Sequence, residues 1–183
     1  QALGAYAAAI TGHQGARLLG RMGAVVDVGH RTTDYLLVVP DEHRRPVPDE
    51  ARSGSLDVGM NRVYSAVAAD VSAGALAAGA EALVERELRA GRGVLPIRGV
   101  DVDIRTPYTA ACRALAGEIA DHLIRVWADR LDYLAGVVLA GGGGAALYPW
   151  LRERLPAVIP AADAVYANAL GFLELAGARA VRA

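Results

Sequence analysis

Four consecutive glycines, Gly141–Gly144, interrupt the longest apolar run of the sequence, Tyr133 to Leu147. Each glycine inside a helix costs about 1 kcal/mol relative to alanine, so a continuous helix through this segment is excluded. The residues before it, Val137-Val138-Leu139-Ala140, read as a short strand covered on both faces. Those after it, to Leu155, read as a helix. A strand that ends in a glycine turn and feeds a helix is the unit of an α/β fold. The run is too short and too broken to span a bilayer. Gln1 to Ile10 carries no basic segment of a signal peptide. The expectation is a soluble cytoplasmic protein with no membrane contact.

The same alternation continues through the 183 residues. Residues 1–20 read as a helix with Leu3, Tyr6, Ala7 and Ile10 on one face, ending in a polar turn at Thr11–Gly15. Gly23–Gly29 and Tyr35–Val39 read as two strands around a polar turn, followed by a charged loop or hairpin turn from Pro40 to Pro48. Residues 52–58 read as a further strand. A helix with Val63, Val67 and Val71 at four-residue spacing follows, then another over 76–90. Val94–Ile104 alternates around a glycine turn as a β-hairpin. Thr106 is expected as an N-cap with Pro107 at the first helical position. Ala111, Leu115, Ile119, Leu123 and Val126 carry that helical stripe to about Arg130. Asp163 is expected to cap a last helix through Ala176. The class is α/β, with a mixed or parallel sheet and one inserted hairpin region.

Composition narrows the chemistry. The net charge of -1 provides no field to draw the chain to nucleic acid or anionic lipid. Lysine is absent, which excludes a Walker-type lysine, a Schiff-base lysine and a Ser/Lys dyad within this chain. The single cysteine, Cys112, excludes an internal disulfide and a cysteine zinc site, and reads as a small buried thiol. His13, His30, His43 and His122 lack ligand spacing and read as solvated or hydrogen-bonded.

Three segments can carry function. In Asp27-Val28-Gly29-His30-Arg31-Thr32-Thr33-Asp34 an apolar strand delivers Asp27 to a turn. Gly29 lets backbone approach a ligand, Thr32 and Thr33 add hydroxyl donors, and Asp27 and Asp34 can hold a hydrated cation or orient water. An ordinary polar hairpin turn closed by an Asx interaction reads equally well. The turn Gly141-Gly142-Gly143-Gly144 can lay bare amides against a nucleotide at a helix N-terminus, or serve only as a flexible turn. In Tyr166-Ala167-Asn168-Ala169-Leu170-Gly171-Phe172, Asn168 and Gly171 share one helix face. A helical glycine there asks for close approach, and a helix–helix contact is the favoured reading.

Taken in order, the three segments resemble the actin-like ATPases of the actin/Hsp70/sugar-kinase superfamily, and within it the prokaryotic ParM-type proteins and their archaeal relatives. Residues 25–34 resemble the second phosphate loop, 138–144 the adenosine loop, and 166–172 the connecting helix. Ser53–Gly59 and the 94–104 hairpin resemble the smaller subdomain. The resemblance implies an actin-like (ribonuclease H-like) domain II: a mixed sheet flanked by helices, with a core of 1–50 and 106–183 and an inserted α+β subdomain at 51–105. It also implies ATP or ADP with Mg²⁺, bound at Gly29, Thr32, Thr33, Gly141, Gly142, Gly143, Gly144 and Asn168, the amides of Gly142 and Gly143 facing the ligand. Asp27 would contact the metal through water, Asp34 would assist the attacking water, and Gln1 falls where the family places a water-positioning Gln or Glu. The family's first phosphate loop has no counterpart in this sequence, so the chain is expected to be domain II alone and to carry half a site.

The expected parent is a filament-forming ATPase in plasmid segregation or a cytoskeletal role, self-associating and served by a DNA-bound adaptor, without direct contact to nucleic acid. Two alternatives stand beside it: a non-hydrolysing actin-fold scaffold in cell division or pilus assembly, and a small-molecule kinase of the same superfamily.

Overall fold

The computed structural model describes residues 2–12, 15–72 and 79–180. Helices α1 (Ala2–Thr11) and α2 (Gly15–Leu18) precede three strands, β1 (Gly23–Val28), β2 (Thr33–Pro40) and β3 (Pro46–Leu56). Helices α3 (Met60–Ser72) and α4 (Ala80–Arg89), the hairpin β4 (Val94–Ile97) and β5 (Val100–Asp103), and the long helix α5 (Arg105–Trp127) follow. The chain closes with β6 (Val137–Ala140), α6 (Gly144–Arg154), β7 (Val158–Pro160) and α7 (Ala167–Ala180).

The main sheet has the order β3-β2-β1-β6-β7. β1 pairs antiparallel with β2 and parallel with β6, so the sheet is mixed, as expected. The period-two alternation of strands sends Ala24, Val26, Val28, Val137 and Leu139 to one face, into a core shared with α3, α5 and α6. Val25, Val38, Val138 and Ala140 point to the other face, which α1 covers with Ala2, Ala5 and Tyr6. The spacing of Val63 and Val67, and of Leu115, Ile119 and Leu123, is that of buried helical stripes. Cys112 is fully buried, and burial pushes its thiol up to about 11.

Several details differ from the sequence reading. Of the loop or hairpin turn expected over Pro40–Pro48, the hairpin turn is found, but it is shorter: the Asp41 carboxylate accepts from the His43 and Arg45 N–H groups and β3 begins at Pro46. β3 runs unbroken through residue 51 and pairs with β2 at Gly54, Ser55 and Leu56, so the stretch expected to open the smaller subdomain lies in the main sheet. Helix α5 starts at Arg105, not after Thr106, because the Asp103 carboxylate accepts the Arg105 N–H. Asp163 does not cap α7, which starts at Ala167; its carbonyl takes the Tyr166 N–H within a turn. β7 was not expected: three residues are too short a run to show a period.

α1 buries a different face from the one its larger residues suggested. Ala2, Gly4, Ala5 and Tyr6 are buried, while Leu3 and Ala7 are half-buried. The reason is its second neighbour, α7. A Cβ built on Gly4 would overlap the Asn168 carbonyl, and one built on Gly171 would overlap the Gly4 carbonyl. The two helices cross backbone to backbone, the helix–helix contact favoured for Gly171. Overpacking a rigid contact costs about 3 kcal/mol at the upper end of its usual range. Gly171→Val should therefore lower Tm by roughly 6–12 °C, at about 2–4 °C per kcal/mol for a chain of this size. Thermal unfolding followed by circular dichroism measures it, and an unchanged Tm would mean that the crossing is loose.

Candidate functional site

Parallel pairing of β1 and β6 sets Asp27 directly opposite Ala140. Both strands therefore end at the same edge, and the loops that leave them meet there. This is where open α/β sheets bind ligands.

The first loop joins β1 to β2. Gly29 donates its N–H to the Thr32 carbonyl at 2.9 Å and closes the turn. The carbonyls of Gly29 and His30 accept the N–H groups of Met60 (3.1 Å) and Asn61 (2.8 Å), two of the donors that the first turn of α3 leaves unpaired. With its carbonyls committed to α3, the turn presents its N–H groups elsewhere. Among the described residues the N–H groups of His30, Arg31 and Thr32 have no acceptor. Thr32 is exposed at this mouth. Thr33 is not available to a ligand: it is fully buried, and its hydroxyl donates to the Val58 carbonyl at 2.8 Å. It fastens the hairpin to the approach to α3.

Asp27 and Asp34 are opposite one another in the β1–β2 register, so their carboxylates lie on one face of the hairpin. Asp27 is held above the usual carboxylate range, mainly by burial and also by the Asp34 charge. A hydrogen bond from the Asn168 side-chain amide acts in the opposite direction.

The second loop is the tetraglycine turn. Gly141 has φ +83°, in the left-handed region, and a Cβ there would overlap Asp27 Oδ1 and the Val28 carbonyl. Only glycine satisfies both conditions. Gly143 is confined as well: a Cβ would lie 2.6 Å from Met60 and Val28. Gly142 differs, with nothing within 4 Å of its Cβ position. Hydrogen bonding divides the amides in the same way. Gly141 donates to Ala164, Gly143 to Val28 and Gly144 to Gly141, whereas the Gly142 N–H has no acceptor among the described residues. The expectation that the Gly142 and Gly143 amides both face a ligand therefore holds for Gly142 in geometry. It fails for Gly143, whose amide is occupied within the chain, as are those of Gly141 and Gly144, which were also expected to bind the nucleotide.

Between the two loops lies a cavity of about 230 Å³, with Gly29, His30 and Gly142 at its mouth and Met60, Tyr64 and Tyr108 among its walls. That is below the roughly 300–1,000 Å³ of a complete small-ligand pocket. A more open, polar hollow of about 370 Å³ continues past His30 and Tyr64, toward Asn61, Glu81 and Glu85. The sequence reading missed Met60, Tyr64, Tyr108 and Arg89. Their signal was faint: aromatic and long side chains on helices whose other faces build the core. Burial raises the Tyr64 and Tyr108 hydroxyls above their ordinary range, so both remain protonated donors.

Asn168 reaches the edge of this site without entering the cavity. Its Oδ1 accepts the Ala5 N–H at 3.0 Å, and its Nδ2 donates to Asp27 Oδ2. Gln1 lies outside the described residues. Among the described residues no cluster of three or more His, Cys, Asp and Glu could hold a metal ion, and no helix is long and apolar enough to cross a membrane. His122, expected to be hydrogen-bonded, pairs with the Tyr35 hydroxyl at 3.1 Å.

Comparison with known proteins agrees with this architecture. A ParM protein from Clostridium botulinum, solved as a 15-stranded filament, is 25% identical with a TM-score of 0.82, over 97% of this chain and 52% of that one. An archaeal actin homologue in complex with ADP is 23% identical with a TM-score of 0.79, over 97% of this chain and 56% of that one. Bacillus thuringiensis ParM with ATP is 14% identical with a TM-score of 0.65, over 90% of this chain and 48% of that one. The chain thus spans about half the length of these structures, and its fold is the actin-like α/β fold. No curated protein matched the sequence significantly. The family model described as archaeal actin homologue MreB-like, C-terminal, matches residues 25–153, more than half of the chain. The chain therefore belongs to the family of MreB-like archaeal actin homologues, as a representative of its C-terminal region.

Proposed function

We propose that this chain is the nucleotide-binding half of a filament-forming actin-like ATPase that takes ATP or ADP with Mg²⁺. One observation carries the proposal. At the joined ends of β1 and β6, a turn with unengaged N–H groups faces a glycine turn with open space at Gly142, beside a cavity walled by two tyrosines. The relatives lend support: an archaeal actin homologue was solved with ADP, a ParM with ATP, and another ParM as a filament.

The residues present fit such a ligand. The N–H groups of His30, Arg31 and Thr32, without an acceptor among the described residues, are donors suited to phosphate oxygens. The N-terminus of α6, an eleven-residue helix, adds the positive end of its dipole. Gly142 leaves room for a sugar, and Tyr64 and Tyr108 offer flat apolar walls to a base. Asp27 and Asp34 fit a hydrated divalent cation, held through water by Asp27. When bound, Mg²⁺ supplies neutralisation of phosphate charge. Asp34 orients the attacking water, and Gln1 shares that role by resemblance. The catalysis is positioning plus electrostatics.

At the scale of the whole protein, we assign self-association into filaments, a role in plasmid segregation or another cytoskeletal task, a DNA-bound adaptor, and a cytoplasmic location. We also keep the division into a core and a smaller subdomain. The smaller unit would hold α3, α4 and the hairpin β4–β5, with α3 also packing into the core of the main sheet.

In the intact protein, Gly142→Val should weaken binding of a fluorescent ATP analogue by at least about tenfold, equivalent to about 1.4 kcal/mol. Circular dichroism should stay unchanged, because the added side chain meets no protein atom at its Cβ. Unchanged affinity in a folded variant would end the adenosine-loop assignment. Asp27→Ala should cut ATP turnover by about 100-fold while ADP affinity changes little. The carboxylate acts where charge develops in the transition state. Equal losses of turnover and ADP affinity would make Asp27 a ground-state binding group.

A further inference from the structure

Asn168 joins two partners of opposite chemistry. The Ala5 N–H can only donate, so the side-chain oxygen of Asn168 must face it. That donor belongs to the fourth residue of α1. With Oδ1 fixed, Nδ2 is turned to the other side of the amide, where it donates to Asp27 Oδ2. The remaining carboxylate oxygen, Oδ1, fills the space that a Cβ would need at Gly141. Asn168 thereby holds one oxygen of the Asp27 carboxylate, and the missing side chain of Gly141 leaves room for the other.

We infer that Asn168 is a positioning residue that holds the Asp27 carboxylate in orientation at the mouth of the site, with its own orientation set by the backbone of α1. The inference rests on the proposal that Asp27 serves a nucleotide and its cation. Asn168 itself contacts no ligand, which replaces its expected place among the nucleotide-binding residues. Packing alone does not require an asparagine here, because Gly4 and Gly171 already close the crossing of α1 and α7. What asparagine adds is one acceptor and one donor on opposite sides of a single plane. Aspartate at this position would keep the acceptor for Ala5 but replace the donor by a second carboxylate facing Asp27. A shift of α1 relative to α7 is passed to Asp27 through two hydrogen bonds, although α1 and Asp27 share none.

Two measurements test this. The first uses the 183-residue chain without nucleotide and follows hydrogen exchange at the Ala5 amide. Asn168→Ala should accelerate exchange several-fold, since the N–H loses its bond to the Asn168 side chain. Asp27→Ala should also accelerate it several-fold, because Asn168 loses the partner that holds it. An Ala5 rate unchanged in Asp27→Ala would overturn the inference. The second uses the intact protein with ATP and Mg²⁺. Asn168→Asp should lower kcat by on the order of tenfold or more with ADP affinity close to wild type. Equal losses of kcat and ADP affinity, or an unchanged kcat, would show a merely structural residue and overturn the inference. If the wild-type protein does not hydrolyse ATP, the proposed function falls by itself. The exchange result then decides: acceleration in Asp27→Ala upholds the Asn168 inference, and an unchanged rate overturns it.

Discussion

Strand β1 is hydrogen-bonded on both sides and covered on both faces, and the rest of the molecule is arranged around that burial. Its antiparallel partner β2 forces a tight turn at Gly29, and its parallel partner β6 requires a long crossover, which α3 to α5 supply. Because β6 runs parallel to β1, their loops emerge at one edge. An antiparallel β6 would send the glycine turn to the opposite edge, and no cavity would form between the loops. The position of Asp27 follows from the same fact. As the fifth of six residues in a central strand, it is the point where the buried ladder gives way to solvent.

The backbone crossing of α1 and α7 is the second constraint, and it acts through the absence of side chains. Ridges of ordinary residues keep helix axes about 8–10 Å apart, too far for a short asparagine on α7 to span from the α1 backbone to Asp27. Gly4 and Gly171 remove those ridges. The close approach then serves two purposes at once: it seals the face of the sheet opposite α3, α5 and α6, and it brings Asn168 within reach of Asp27.

Much of this was legible in the sequence, and the failures are local. β1, β6 and the stripes of α3 and α5 were readable because their apolar periods match their environments. The glycine turn was readable because no regular element tolerates four glycines. The extent of β3 was not, since Pro46, Pro48, Asp49 and Glu50 read as loop; it is an edge strand, where prolines and charges are tolerated because one side pairs with nothing. The start of α5 was not legible, because its N-cap is Ile104, a residue without a capping side chain, and the Arg105 N–H is taken by Asp103 from one position further out. Gly29 and Gly142 line the cavity, whereas Asp27 stands near the end of β1 without lining it. Thr33, Gly141, Gly143 and Gly144 offer no free donor, because theirs are consumed by the carbonyls of Val58, Ala164, Val28 and Gly141. A motif names donors; only tertiary structure reveals which are already taken.

Charge explains how a chain without lysine can serve a polyphosphate. Asp27 and Asp34 share a face, and burial and their mutual repulsion already work against ionisation of Asp27. A phosphate beside them adds negative charge; at about 4 Å and an effective dielectric near 20, two like unit charges repel by about 4 kcal/mol. Much of the chain's own compensation consists of partial charges. Asn168 donates to Asp27, the turn offers backbone N–H groups, and α6 points its N-terminus at the site. Of the cationic side chains, Arg89 in the cavity wall is paired with Glu85 at 2.8 Å, and Arg31, in the turn itself, lines the adjoining hollow. Dipoles orient an anion but do not cancel a full charge. Within the proposed function, the two carboxylates are therefore an asset: they draw the divalent cation that neutralises the phosphates, a role that a lysine would otherwise fill.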